Sequence, residues 1–209
     1  MMNDPITKVM QDASEIVRYD EVGIPLYIRE GLLSSYPDHR ALCHWHEDIE
    51  WVQIRSGQMN YYINGKRVLL NAGEAIIVNS RQMHYGYSEN GQECDFICIL
   101  CHPKILTANS VLYQSYITPV LSNPALEYLH LKPENPEDTE ALQTLPGNSP
   151  AEEGTADRLR NRGCCSAFPF VVPSFAHASD DAGRQHRRLT GSRSSDPARY
   201  GFLYLQPLQ

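Results

Sequence analysis

"HWHEDIEWVQIRSGQMNYYINGKRVLL", residues 44–70, decides the fold. Its second half reads as a hairpin. Asn64–Gly65 separates "MNYYI" from "KRVLL", and an Asn-Gly pair accepts the positive φ that both central positions of a type I′ turn require. "IEWVQIRSG" and "QMNYYING" before the turn read as strands. Working outward, "PLYIREGLL" and "RALCHWH" lie on one side and "NAGEAIIVNS", "HYGYS" and "ECDFICILC" on the other, again as strands divided by turns. Short, closely spaced strands with Gly-bearing turns predict an antiparallel sandwich or barrel rather than a parallel sheet.

In a strand, residues of equal parity share a face. His44, His46, Glu50, Val52 and Ile54 are even, so unbroken pairing points them one way and Trp45, Ile49, Trp51, Gln53 and Arg55 the other. Two imidazoles at i and i+2 form a bidentate clamp, and a carboxylate farther along the same face can be a third metal ligand. His84, after the turn and strand of "GEAIIVNSRQM", is the candidate fourth. Three uses are open to this cluster: a divalent metal site, the polar lining of a pocket for a hydroxylated organic ligand, or a hydrogen-bonded polar core. Tyr61, Tyr62, Tyr85 and Tyr87 could stack on such a ligand or hydrogen-bond to it. Tyr62 and Tyr85 join His44, His46, Glu50 and His84 as the candidate ligand-binding residues. Trp45 and Trp51 are expected to pack against another layer or a partner subunit. No serine or cysteine stands in a Gly-x-Ser-x-Gly elbow, and no catalytic residue is assigned.

The chain carries 18 Lys+Arg against 25 Asp+Glu, a net charge of -7. That argues against a non-specific polyanion binder. No apolar run approaches the roughly 18 residues of a membrane span. The N-terminus has scattered charges and no apolar signal region, so a cytoplasmic location with no membrane contact is expected. Free thiols are then the default for the six cysteines. Cys98 and Cys101, three apart on a strand, should face opposite ways and are poorly placed to share a metal or a disulfide.

Composition changes near residue 145. "PKILTANSVLYQSYITPVLSN" is mixed and partly helical in character, and "NPEDTEALQTL" starts as a helix with Asn135 as N-cap and Pro136 at its first position. The region before Pro146 has 10 Lys+Arg and 19 Asp+Glu, whereas the rest has 8 Arg, 6 Asp+Glu and no Lys, Ile, Met or Trp. Pro, Gly, Ser and Arg rise together without a helical or strand period, leaving little means to offset ordering entropy. A disordered extension, a change of coding frame near residue 145, and a basic functional arm built on "GRQHRRLTGSR" are the competing readings.

His44 to Gly57, "H-W-H-x-x-x-E-x-x-x-x-x-x-G", resembles the first cupin motif, and Gly73 to His84, "G-x-x-x-x-x-N-x-R-x-x-H", is similar to the second. Asn79 and Arg81 stand where that family usually has Pro and Gly, and Ser88 where it ends on Asn. The whole of "HWHEDIEWVQIRSGQMNYYINGKRVLLNAGEAIIVNSRQMHYGYS", with "FICILCHPKIL" after it, resembles the N-terminal domain of AraC-type transcription regulators of Firmicutes. The resemblance implies a mainly β fold: a cupin-type antiparallel barrel (jelly roll), followed by short helices. It implies His44, His46, Glu50 and His84 as ligands of a possible divalent metal, a small effector such as a sugar or metabolite, and a possible homodimer formed through the helices after the barrel. The expected domains are an effector-binding barrel at 10–108, a partly helical dimerisation segment at 109–145, and a low-order tail at 146–209. The family's DNA-binding helix-turn-helix pair would need about 100 helical residues, so this chain by itself is not expected to contact DNA. The alternative is a metal-dependent cupin enzyme of oxygenase or isomerase type.

Overall fold

The computed structural model describes residues 9–144 apart from 21, 107 and 108. The expectations about the tail at 146–209 fall outside the described residues.

Among the described residues seven strands follow in chain order: β1 (Leu26–Leu32), β2 (Ile49–Ile63), β3 (Lys66–Asn71), β4 (Ala75–Val78), β5 (His84–Tyr87), β6 (Cys94–Cys101) and β7 (Tyr128–Leu131). The pairings between these strands are antiparallel. One sheet runs β1-β6-β2-β4-β7, while the far half of β2 pairs with β3 and β5. The 15-residue strand β2 therefore belongs to both walls of the barrel. At the predicted hairpin, Asn64 has φ 44° and Gly65 φ 90°, and Ile63 pairs with Lys66.

β2 changes walls at a bulge between Ile54 and Ser56. Gly57 there has φ +78°, and a Cβ on it would lie 2.3 Å from the Glu93 carbonyl oxygen, where only glycine fits. The extra residue inverts the parity of the strand. Val52 and Ile54 face the barrel interior before it, and Met59, Tyr61 and Ile63 after it. They form the inner core with Leu33, Val68, Leu70, Ile76, Val78, Cys94 and Phe96. Trp51 faces outward into a second core with Leu26, Ile28, Ile77, Ile99 and Cys101, covered by Leu126, Leu131, Ala141 and Leu142. It thus packs against another layer, as expected for that face.

"RALCHWH" departs from the expected strand. It makes only isolated bridges, from Arg40 to Tyr87, His44 to His84 and Trp45 to Ser14. Asp38 and His39 before it have positive φ of 52° and 50°, which turns the chain out of extended geometry. The region after β6 is helical through Ser110–Leu112, Tyr113–Ile117 and Thr118–Leu121. Its middle piece is a π-helix ahead of Pro119, which has no N–H to give and whose ring crowds the preceding turn. A helix then spans Pro136–Thr144, with the Asn135 side chain accepting from Glu137 N–H. Between these helices β7 pairs with β4, so the segment expected to be partly helical also adds a strand to the barrel. No helix among the described residues is long and apolar enough to cross a membrane.

Candidate functional site

His44, His46, Glu50 and His84 meet inside the barrel, their ligand-type atoms all within 4.8 Å of one another, and all four are buried. His44 and His84 are bridged to each other across two segments of the chain, with each backbone N–H donating to the other's carbonyl at 3.1 and 2.9 Å. A bend at Glu47–Asp48 carries the chain from His46 into β2 and returns Glu50 to the face of the imidazoles. The His44–His84 and His46–His84 ring centroids are 4.5 and 4.9 Å apart.

All three imidazoles are oriented in the same way. Nδ1 of His44 lies 2.7 Å from the Leu42 carbonyl, that of His46 3.1 Å from the Asp48 carbonyl, and that of His84 2.8 Å from the Gln82 carbonyl. A carbonyl only accepts, so each Nδ1 carries the proton and each neutral ring turns the lone pair of Nε2 inward. Two of those lone pairs meet one carboxylate oxygen: Glu50 Oε2 is 3.0 Å from His46 Nε2 and 2.7 Å from His84 Nε2. The third, on His44, faces Glu15 Oε2 at 3.2 Å. Acceptor against acceptor at such distances requires a positive charge between them, either a proton or a metal cation. Glu50 Oε1, on the other side, accepts from the Tyr61 hydroxyl at 2.5 Å and lies 3.7 Å from Cys98 Sγ.

The electrostatics express the same demand. Burial alone would push the Glu50 carboxyl up, but the charge and hydrogen bonds of His84 and His46 outweigh it and hold the group well below the usual carboxylate range. Burial opposes protonation of His44 and His46, yet hydrogen bonds donated to the Glu15 and Glu50 carboxylates raise both above 6.5. His84 is lowered, because burial and the two neighbouring imidazoles outweigh Glu50. Tyr61 and Cys98 are raised by burial and by Glu50, and so remain protonated donors to it.

This donor set suits a divalent first-row metal. Three imidazole Nε2 atoms and a carboxylate match its ligand preference, and every Nδ1 already has the outer-shell acceptor that metal-bound histidines use. The departures in the second motif do not disturb the site. Arg81 has φ 64°, a left-handed position where a glycine would be unstrained, and its N–H donates to the His46 carbonyl at 2.8 Å. Its guanidinium pairs with Glu47 at 2.8 Å at the surface, so its charge is neutralised away from the cluster instead of opposing a dication. Asn79 is buried, and its amide donates to the carbonyls of Val120 and Leu126 at 3.1 and 2.8 Å. A proline could not make that link from the barrel to the helical segment.

Tyr62 and Tyr85 are not brought to the cluster. They are register partners on the opposite face of the sheet, their rings 5.2 Å apart. Arg40 lies over Tyr85 and Tyr87 on that face. The parity inversion at the bulge is the reason: Tyr61 turns inward and Tyr62 outward. Counting from Glu50 cannot reveal this, although Gly57 is the residue that could have signalled it. Cys98 and Cys101 do face opposite ways, Cys101 into the outer core and Cys98 against Glu50. Sequence reasoning gave Cys98 no place at the site. It also missed Glu15, which an N-terminal stretch lays beside Trp45. The Glu15 N–H donates to the Trp45 carbonyl at 2.8 Å, and the Trp45 indole donates to the Asp12 carbonyl at 3.1 Å.

A bulged antiparallel barrel enclosing three inward-facing histidines and one glutamate defines a cupin-type domain. Residues 27–160 match the AraC-like ligand binding domain family, and the chain belongs to it. A relative, the uncharacterized HTH-type transcriptional regulator YdeC of Bacillus subtilis (strain 168), is 26% identical over 121 residues. The match spans 58% of this chain but only 41% of that regulator. Among solved structures, a Cupin 2 conserved barrel domain protein from Salinispora arenicola is similar over 49% of this chain and 79% of its own, at 13% identity and a TM-score of 0.34. A cupin-like protein from Thermotoga maritima is similar over 38% of this chain and 59% of its own, at 17% identity and a TM-score of 0.35.

Proposed function

We propose that this barrel senses a small molecule on behalf of a transcription regulator, and that His44, His46, Glu50 and His84 hold a divalent metal forming one wall of the effector pocket. One observation carries the metal reading: with all three Nδ1 atoms held by backbone carbonyls, all three Nε2 atoms converge on carboxylate oxygens, the arrangement that a bound cation requires. The family membership and the regulator relative support sensing rather than catalysis. A cation bound there would supply a Lewis-acidic anchor for an oxygen-bearing effector, a sugar or another metabolite.

The chain's own residues prepare the site and link it outward. Tyr61 and Cys98 fix the Glu50 carboxyl, and the Leu42, Asp48 and Gln82 carbonyls fix the imidazoles. Residues 79–81 join His46 to the helical segment: Arg81 N–H binds the His46 carbonyl, the Ser80 hydroxyl binds the Glu47 carbonyl, and Asn79 binds Val120 and Leu126. An effector that shifts His46 or His84 would act on that segment through these bonds, provided it binds the two arrangements with different affinity. A homodimer would use the same segment, where Val111 and Leu112 are exposed. DNA contact belongs to the whole regulator, and the described residues are assigned none.

Titration of the chelator-stripped full chain with cobalt(II) tests the metal reading. One equivalent should bind, giving visible d–d absorption and, at a hundredfold excess over Kd, about 2.7 kcal/mol of added stability. His46→Ala should abolish both. Absence of binding at micromolar metal, or an unchanged His46→Ala protein, would overturn it.

A further inference from the structure

The guanidinium of Arg29 stands at the same inner wall as the histidine cluster. Leu26 and Ile28 on β1 point into the outer core, so Tyr27 and Arg29 start on the interior face. Arg29 is the register partner of Cys98, whose sulfur lies 3.7 Å from Glu50. The half-buried Arg29 side chain is pre-oriented: it donates to the Tyr36 hydroxyl at 3.0 Å and to Ser35 Oγ at 3.1 Å, and its carbon lies 4.9 Å from the Tyr36 ring centroid. Hydroxyls fix its direction but leave its charge uncompensated, for among the described residues Arg29 has no carboxylate in ion-pair range. Two arginines on other strands do have one: Arg55 pairs with Glu30 and Asp95, and Arg67 with Glu89. An arginine turned inward is rarely left without an anion, and its planar fork matches a carboxylate.

We propose that the effector is a small organic acid whose carboxylate is read by Arg29, with Tyr36 alongside. This rests on the sensing reading above. The lateral spacing supports a small molecule. Arg29, Cys98 and Val52 are paired across β1, β6 and β2, and Glu50 lies two residues along β2. At strand spacings of about 4.8 Å and rises of about 3.3 Å the two backbones are roughly 12 Å apart, before both side chains extend inward. A molecule of a few carbons spans the remainder, with its acid at Arg29 and a hydroxyl or carbonyl oxygen toward the histidines. Charge agrees: a dication, Glu50, Glu15 and Arg29 sum to one net positive charge, which a monoanion neutralises.

The test is calorimetry and thermal melting of the cobalt-loaded full chain with lactate, pyruvate, their neutral amides, and L-arabinose. The acids should bind and raise the melting temperature, and the amides should not. Arg29→Gln should weaken acid binding about tenfold or more with cobalt absorption unchanged. Arg29→Lys, which keeps the charge without the fork, should fall between and covers the case in which Arg29→Gln does not fold. Acids binding equally to wild type and the Arg29 variants, or amides binding as well as acids, would overturn the proposal. Binding of arabinose without binding of either acid would also overturn it while leaving the sensing reading intact. If none of the probes binds, the organic-acid assignment fails, while the sensing reading keeps its support from the family match.

Discussion

Replacing Glu50 with Gln probes the feature on which the site is built. The amide keeps the shape of the carboxyl but removes the charge that two imidazoles face at 3.0 and 2.7 Å. In the metal-free protein, His44 and His46 are raised above 6.5. A raised histidine contributes stability that is fully present below 6.5 and is lost as pH climbs through the folded value. Wild-type stability should therefore fall as pH rises above 6.5. In Glu50→Gln the imidazolium of His46 loses its buried partner, so at pH 6 the variant should be less stable by about 3–5 kcal/mol. At alkaline pH the rings are neutral, and the Gln amide can donate to one Nε2 lone pair, so the difference should shrink to within about 1 kcal/mol. Glu50 itself is depressed, so its contribution is present above 4.5 and lost as pH falls through the folded value. Cobalt affinity should fall by more than the 10- to 100-fold typical of losing an outer-shell partner, which is more than about 1.4–2.7 kcal/mol of metal-linked stability. Urea denaturation at pH 6, 7 and 8.5, with and without cobalt, measures all three effects. Parallel pH profiles above 6.5 for variant and wild type, or wild-type cobalt affinity in the variant, would refute the reasoning.

Gly57→Ala should destabilise the barrel by more than the about 1–2 kcal/mol of a left-handed L-residue, because its Cβ would also lie 2.3 Å from the Glu93 carbonyl oxygen. A denaturation midpoint within error of wild type would show that the bulge can relax. Arg81→Gly should relieve the strain of φ 64° and lose only a surface ion pair with Glu47, worth about 0–1 kcal/mol. Its denaturation midpoint should stay near wild type or rise, and its cobalt affinity should be unchanged. A clear change in that affinity would place the Arg81 charge at the site.

Much of the site was legible in local spacing. His44, His46 and Glu50 share parity over a stretch short enough for one bend to preserve their common direction, and His84 follows a turn and strand that return to them. The Asn64–Gly65 hairpin and the Asn135 cap also depend on near neighbours only, so the residues themselves specify them. Legibility failed where a single long-range event reset the local rule. The bulge beside Gly57 inverted β2, placing Tyr61 on the carboxylate and sending Tyr62 and Tyr85 outward. β7 went unread because a four-residue strand gains its hydrogen bonds from β4, distant in sequence.

The sequence by itself determined the strand-and-turn pattern, the hairpin and the identity of four converging polar side chains, because backbone φ preferences and period-two alternation act over a few residues. Only the tertiary structure decided what those side chains face. Glu15, Tyr61, Cys98 and Arg29 reach the barrel interior through strand register, a bulge and an N-terminal stretch laid across Trp45. The direction of each imidazole was settled by a backbone carbonyl two residues away, whose position the barrel fixes.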